Sequence, residues 1–271
     1  MKTKMTLQIL QKIPGFVLFA AFFFFAAGCI FYSCGPMGED MPRQEVLTSL
    51  RMLGTQSENA AYEIPALPST DVMATVSIYA ASPKDLEVKL ESWQPDGKLG
   101  GVLLASQDSV SVVTPVMTKE KKGALNIYTG TVKVKIPPAA LWTKFPDGGG
   151  KLAFGVKLSS SAETEYGLGN ILAYPAGAAQ FAWKAPNLEL TAPTVFTATK
   201  NKELDLVLKS DPSQNEDLLF GWFVSSGQIA GRRSKETSWT PDISGTQTII
   251  ATVRGRDSLT FAWKVFTVEV Q

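Results

Sequence analysis

The sequence predicts an all-β protein, built as two consecutive antiparallel β-sandwiches behind an N-terminal export segment. Three observations carry that prediction. Short runs of alternating apolar and polar residues recur between clusters of Gly, Pro, Asp and Ser, the pattern of half-buried strands joined by tight turns. No window from Leu47 to Gln271 has the spacing of an amphipathic helix, although Pro137 to Trp142 suits a single turn. Before Cys34 the chain holds three lysines, no acid and an uncharged stretch from Ile13 to Ser33.

Residues 1–28 read as a secretory signal. Lys2, Lys4 and Lys12 make a cationic start, Ile13 to Phe25 an apolar run, and Ala26-Ala27-Gly28 a small-residue cleavage region. The next residue is Cys29. The string AAGC resembles the lipobox of bacterial lipoproteins, which implies a lipidated cysteine as the mature N-terminus. Cys34 is the alternative attachment point, because Ser33 precedes it and a polar GPMGED stretch follows. The signal would then be residues 1–33. A third reading keeps Ile13 to Ser33 as an uncleaved transmembrane helix with its lysines on the cytoplasmic side, since about 20 residues span a bilayer core. All three place the rest of the chain in the cell envelope, on the exported side of a membrane.

Residues 29–46 form the tether, with two prolines and two glycines between positions 35 and 45. The first sandwich is expected over 47–185. Its strands are marked by Val72-Ala74-Val76-Ile78, Val88-Leu90, Val132-Val134-Ile136 and Leu152-Phe154-Val156-Leu158. Turn chemistry at Ser82-Pro83, Pro95-Asp96-Gly97, Lys119 to Gly123 and Pro146 to Gly150 separates them. The second unit is expected over 186–271, after the break at Lys184-Ala185-Pro186-Asn187.

In that second unit come Leu204-Leu206-Leu208, Leu218-Phe220-Trp222-Val224, Trp239-Thr240-Pro241, Gly245-Thr246-Gln247-Thr248 feeding an Ile/Val strand, and a closing strand from Phe261. This order resembles the Ig-like and PKD-like domains of bacterial surface proteins, which implies two tandem Ig-like sandwiches. Two details differ. Gly221-Trp222-Phe223-Val224-Ser225-Ser226-Gly227 stands where PKD domains tend to carry an aspartate- and glycine-rich stretch, and Gln247 stands at their corner tyrosine.

Composition narrows the chemistry. The 271 residues contain no histidine and two cysteines, Cys29 and Cys34. Serine and cysteine nucleophiles paired with imidazole, and His-ligated zinc or haem, are therefore excluded. Of the 26 basic residues, three leave with the signal, so 23 face 25 acids and the exported part is mildly acidic. Nucleic acid is thus not an expected partner.

Trp142 is the candidate ligand contact, since it lies between Pro137-Pro138 and the 145–150 loop rather than in an alternating run; the other reading tucks it beneath its own loop. Trp222 is expected in the core, and Trp93, Trp183, Trp239 and Trp263 in the core or on sheet surfaces. Glu163 with Glu165, or Glu203 with Glu216, are the nominal carboxylate pairs for glycoside chemistry, though nothing in the sequence brings either pair together. Asp211, Asn215, Glu216 and Asp217 offer oxygens for calcium in no EF-hand spacing, and Arg232, Arg233 and Lys235 make a basic loop tip. No catalytic constellation, cofactor motif or metal site is expected. The reading is a non-catalytic envelope protein that meets the membrane through its N-terminus and an envelope protein or glycan through its sandwiches; carbohydrate binding or processing is the alternative.

Overall fold

The computed structural model describes residues 46–97, 99–145, 148–177, 189–190, 197–209, 217–231, 233–256 and 259–271. The signal, Cys29, Cys34 and the break near 185 lie outside the described residues. Among those described, no helix is long and apolar enough to cross a membrane.

The first sandwich contains β1 (Arg51–Ser57), β2 (Tyr62–Glu63), β3 (Met73–Ser82), β4 (Lys89–Trp93), β5 (Leu103–Leu104), β6 (Val110–Val112), β7 (Thr118–Lys122), β8 (Leu125–Lys135), β9 (Gly150–Ser159) and β10 (Thr164–Tyr174). The second contains β11 (Glu189–Leu190), β12 (Thr197–Ala198), β13 (Leu204–Lys209), β14 (Leu218–Val224), β15 (Gln228–Ala230), β16 (Glu236–Thr240), β17 (Gly245–Gly255) and β18 (Phe261–Val270).

Strand order identifies both as Ig-like. In the second sandwich, β11-β13-β16-β15 forms one sheet and β12-β18-β17-β14 the other. These are the ABED and GFC sheets of an immunoglobulin fold, with β12 added beside the last strand. The first sandwich repeats the plan as β1-β3-β8-β6 and β2-β10-β9-β4, with β7 also pairing β8 and β5 pairing β9. Most pairs are antiparallel, as the alternation predicts, but β2 with β10, β12 with β18 and β5 with β9 run parallel.

The expected turn at Lys119 to Gly123 is instead largely a strand. Thr118–Lys122 carries no apolar alternation because four of its five residues are exposed at the sheet edge, and it pairs with β8 along its whole length. Only Gly123, whose φ is positive, turns the chain there.

Each sandwich has its own core. Ala74, Val76, Ile78 and Ala80 of β3 meet Leu152, Phe154, Val156 and Leu158 of β9 in the first. Trp222, Trp239, Leu206, Leu208 and Ile249 fill the second. The glutamine at the corner position has a structural explanation, because Gln247 is buried and its Oε1 accepts hydrogen bonds from the Ser225 and Ser226 hydroxyls, each at 2.8 Å. Trp239 Nε1 closes the same corner on the Ser226 carbonyl at 2.8 Å.

A third core joins the two sandwiches. Leu53, Ala81, Leu125 and Ile127, on the outer face of the first ABED sheet, pack with Phe223, Ile250 and Phe261 from the outer face of the second GFC sheet. Tyr79 stacks on Phe261 at 6.0 Å and meets Trp263 at 5.1 Å. A bulge between Met52 and Gly54 brings Gly54 opposite Tyr79, where a Cβ would lie 2.5 Å from the Phe261 ring. Thr248 Oγ1 accepts from the Ala124 N–H at 2.9 Å and donates to the Lys122 carbonyl at 2.8 Å. The entering chain is also stitched to the second sandwich, through the Leu47 N–H to Val224 carbonyl bond of 2.9 Å.

Candidate functional site

Trp142 does not offer a face to any ligand. It ends a 3₁₀ turn, Ala139–Trp142, and is 0% exposed. Its indole N–H donates to the Pro137 carbonyl at 3.0 Å, and its ring meets Phe145 at 5.5 Å. The loop has tucked its aromatic underneath, because burying an indole whose single donor is satisfied is favourable. The candidate ligand contact at this position is therefore corrected to a core residue.

Glu163 and Glu165 are neighbours, but each is committed to holding the entry of β1. Glu163 accepts the Leu50 N–H at 2.5 Å and pairs with Lys84. Burial pushes its carboxyl up, but the Lys84 ammonium and the Leu50 N–H outweigh that and hold it below its usual range. Glu165 faces Arg51 at 3.2 Å. Burial nonetheless dominates there and lifts the Glu165 carboxyl above the usual range. Glu216, Asp211 and Asn215 lie outside the described residues, so the second carboxylate pair and the oxygen cluster are represented only by exposed Glu203 and by Asp217, which meets Arg256 at 3.6 Å. Arg233 and Lys235 are exposed, and Arg232 lies outside the described residues.

The distinctive surface is the outer face of the first GFC sheet. Strand parity turns Leu90, Leu152, Phe154, Val156 and Leu158 inward, which sends Lys89, Glu91 and Trp93 of β4, Gly155 and Lys157 of β9, and Thr164, Tyr166 and Leu168 of β10 outward. Trp93 and Leu168 both stand opposite Gly155, and Glu91 and Tyr166 both stand opposite Lys157. Gly155 leaves no room for a side chain: a Cβ there would clash with the Trp93 carbonyl oxygen and lie 2.9 Å from both the Pro95 ring and the Trp93 indole. Trp93 and Tyr166 come within 4.9 Å, centroid to centroid, at 54°. Tyr166 is 53% exposed, so this member of the pair is about half open to solvent.

Charge borders this aromatic pair. Lys157 donates to Glu91 at 2.8 Å. That hydrogen bond holds the Glu91 carboxyl below its usual range and raises the Lys157 ammonium. Both groups keep their charges across the physiological range, and both retain hydrogen-bonding capacity toward solvent.

This arrangement offers the exposed Tyr166 ring to a flat apolar face, with hydrogen-bonding groups beside it for a polar edge. It contains no nucleophile and base in contact, and among the described residues no group of three or more His, Cys, Asp or Glu could hold a metal. Sequence reasoning misses Trp93 and Tyr166 as a pair, although parity marks each of them. Trp93 shares its strand face with Lys89 and Glu91, an unusual place for an indole, and Tyr166 follows Thr164 at the same parity.

No protein family and no curated protein matches the sequence. Solved structures with a similar arrangement include tandem Ig repeats of Dlar, at 9% identity over 83% of this chain and 98% of that one, with a TM-score of 0.27. Fibronectin(III)-like modules of Clostridium thermocellum CbhA match at 13% identity over 82% of this chain and 92% of theirs, with a TM-score of 0.28. An I-band fragment of titin matches at 8% identity over 83% of this chain and 66% of its own, with a TM-score of 0.23. The assignment to two tandem Ig-like sandwiches rests on the strand pairing described above.

Proposed function

We propose that the chain is an exported envelope protein, tethered to a membrane by lipid at Cys29, with Cys34 as the alternative attachment and an uncleaved helix over Ile13 to Ser33 as the alternative anchor. Its two sandwiches serve a structural or binding role without catalysis. The observation that carries the binding role is the contrast between a third core, which joins the sandwiches, and an aromatic patch on the first GFC sheet whose Tyr166 is half exposed. Two sandwiches joined by a shared core and carrying an exposed aromatic patch suit presentation of a binding surface. The carboxylates nominated for chemistry support the same reading, since Glu163 and Glu165 are engaged by Leu50, Lys84 and Arg51 rather than converging on a cleft.

Mass spectrometry of the mature N-terminus tests the tether. A diacylglyceryl-modified Cys29 or Cys34 is the expected product, and an intact Met1 would overturn the lipid anchor in favour of the helix.

A further inference from the structure

We propose that the outer face of β4, β9 and β10 binds a glycan by stacking a pyranose ring on Tyr166, with the inclined Trp93 indole as the wall that positions it. This deepens the binding role proposed above and rests on it. The occupant follows from the chemistry of the face. A pyranose presents axial C–H bonds on its flat faces and hydroxyls around its edge. The C–H bonds carry partial positive charge and are drawn to the negative face of an indole or phenol. The hydroxyls need donors and acceptors beside those rings, and the Glu91–Lys157 pair supplies both next to Tyr166.

A dry protein partner is disfavoured by the molecule's own example. Where a GFC face of this chain does pack against another sheet, the covering contacts are mainly apolar, Phe223, Ile250, Phe261, Trp263 and Val265, with a hydrogen-bonded threonine and a single half-buried arginine, Arg254, opposite Phe261. On the first GFC face the equivalent strands place Lys89, Glu91 and Lys157 beside the aromatics. Covering those charges with a sheet would strip their water without supplying new partners. A hydroxylated ligand keeps them solvated. Gly155 also has a role here: a Cβ at that position would clash with the Trp93 carbonyl oxygen and displace the end of β4 that carries the indole.

The test is affinity electrophoresis of the full detergent-solubilised chain in gels containing a neutral β-glucan, a mannan, a chitin derivative or a polyuronate. Retardation by at least one polymer is expected. Tyr166→Ala should weaken it by about tenfold, the loss that removal of a central aromatic contact produces. Trp93→Ala should do the same, and Trp93→Phe should restore part of the binding. Leu141→Ala, at another exposed apolar residue, should leave it unchanged. Persistence of binding in about 1 M salt, where charges are screened beyond roughly 3 Å, marks a neutral glycan, whereas its loss marks an acidic one.

The proposal is overturned if no polymer retards the wild-type chain, or if Tyr166→Ala leaves retardation intact while circular dichroism shows a folded protein. An aromatic pair that merely covers Gly155 predicts that second result. Failure here with a lipidated Cys29 leaves the tether reading standing, and retention by a glycan with an intact Met1 does the reverse.

Discussion

The two GFC sheets of this molecule occupy the same place in the same topology, yet their outer faces have opposite fates. That of the second sandwich carries Phe223, Ile250, Phe261 and Trp263 and disappears against the first sandwich. That of the first buries Ala153, Gly155 and Leu172 but is open around Tyr166, which packs on Trp93. Both contain aromatic rings in close contact, so aromatic content does not distinguish them. The neighbours do. Thr248 and Thr252 sit between the apolar residues of the covered face, each with its hydroxyl hydrogen-bonded to protein, and Arg254 lies half-buried opposite Phe261, whereas a solvent-facing ion pair, Glu91 with Lys157, borders the open one. A threonine can enter a dry interface once its hydroxyl is satisfied; an ion pair loses solvation that its partner must replace.

The covered face breaks most severely at Phe261. The ring is 1% exposed, stacks on Tyr79 and leaves no room for a side chain at Gly54. Phe261→Ala should cost about 3–5 kcal/mol, the range for deleting a buried phenyl. Urea unfolding followed by tryptophan fluorescence should change from one transition to two as the sandwiches uncouple. The matching change on the open face, Tyr166→Ala, should stay within about 0.5 kcal/mol of wild type because half of that side chain is already in water.

Gly54→Ala attacks the same contact from the other side. Its Cβ would lie 2.5 Å from the Phe261 ring, so the ring must move and the third core must open. Destabilisation of about 1–3 kcal/mol is expected, as for overpacking elsewhere. The double change Gly54→Ala with Phe261→Leu should recover part of the loss in the same urea measurement, because the shorter side chain leaves room for the new methyl.

Much of this architecture is legible in sequence because alternation reports one buried face per strand. It reports less where both faces are buried. Ala80-Ala81, Ile127-Tyr128 and Ile249-Ile250-Ala251 interrupt the alternation because these strands have a core on each side. Such doubled apolar pairs are the local trace of the third core, but they do not name its partner. Trp142 escapes for another reason: parity has no meaning in a 3₁₀ turn, so only tertiary structure decides whether its indole points in or out. The strand β7 escapes because an exposed edge strand needs no apolar residue at all. The hydrogen bond from Leu50 to Glu163 joins distant parts of the chain and leaves no sequence signature.

Thr248→Val sharpens the covered face more gently. The methyl replaces a hydroxyl that bridges the Ala124 N–H and the Lys122 carbonyl, removing a partner from each at the edge of the third core. A loss of about 1–2 kcal/mol follows from one orphaned backbone donor. Thr248→Ser should keep most of the bridge, and the difference between the two variants in thermal unfolding isolates the hydrogen bonds from packing.

The smallest effects belong to the two carboxylates that clamp the start of β1, and they should have opposite signs. Glu163 is held below its usual range, so its contribution is present above the unfolded carboxylate value and is lost as pH falls through the lower folded value. Glu163→Gln should therefore lower stability at neutral pH, by about 1 kcal/mol or less for a solvent-touching pair, and flatten the decline on acidification. Glu165 is raised by burial despite facing Arg51. Its contribution is present below the unfolded value and is lost as pH rises through the higher folded value. Glu165→Gln should then leave neutral stability equal or slightly higher. Urea midpoints at neutral pH and at about pH 4 distinguish the pair. Equal losses from both variants would mean that the Arg51 contact, at 3.2 Å, outweighs burial.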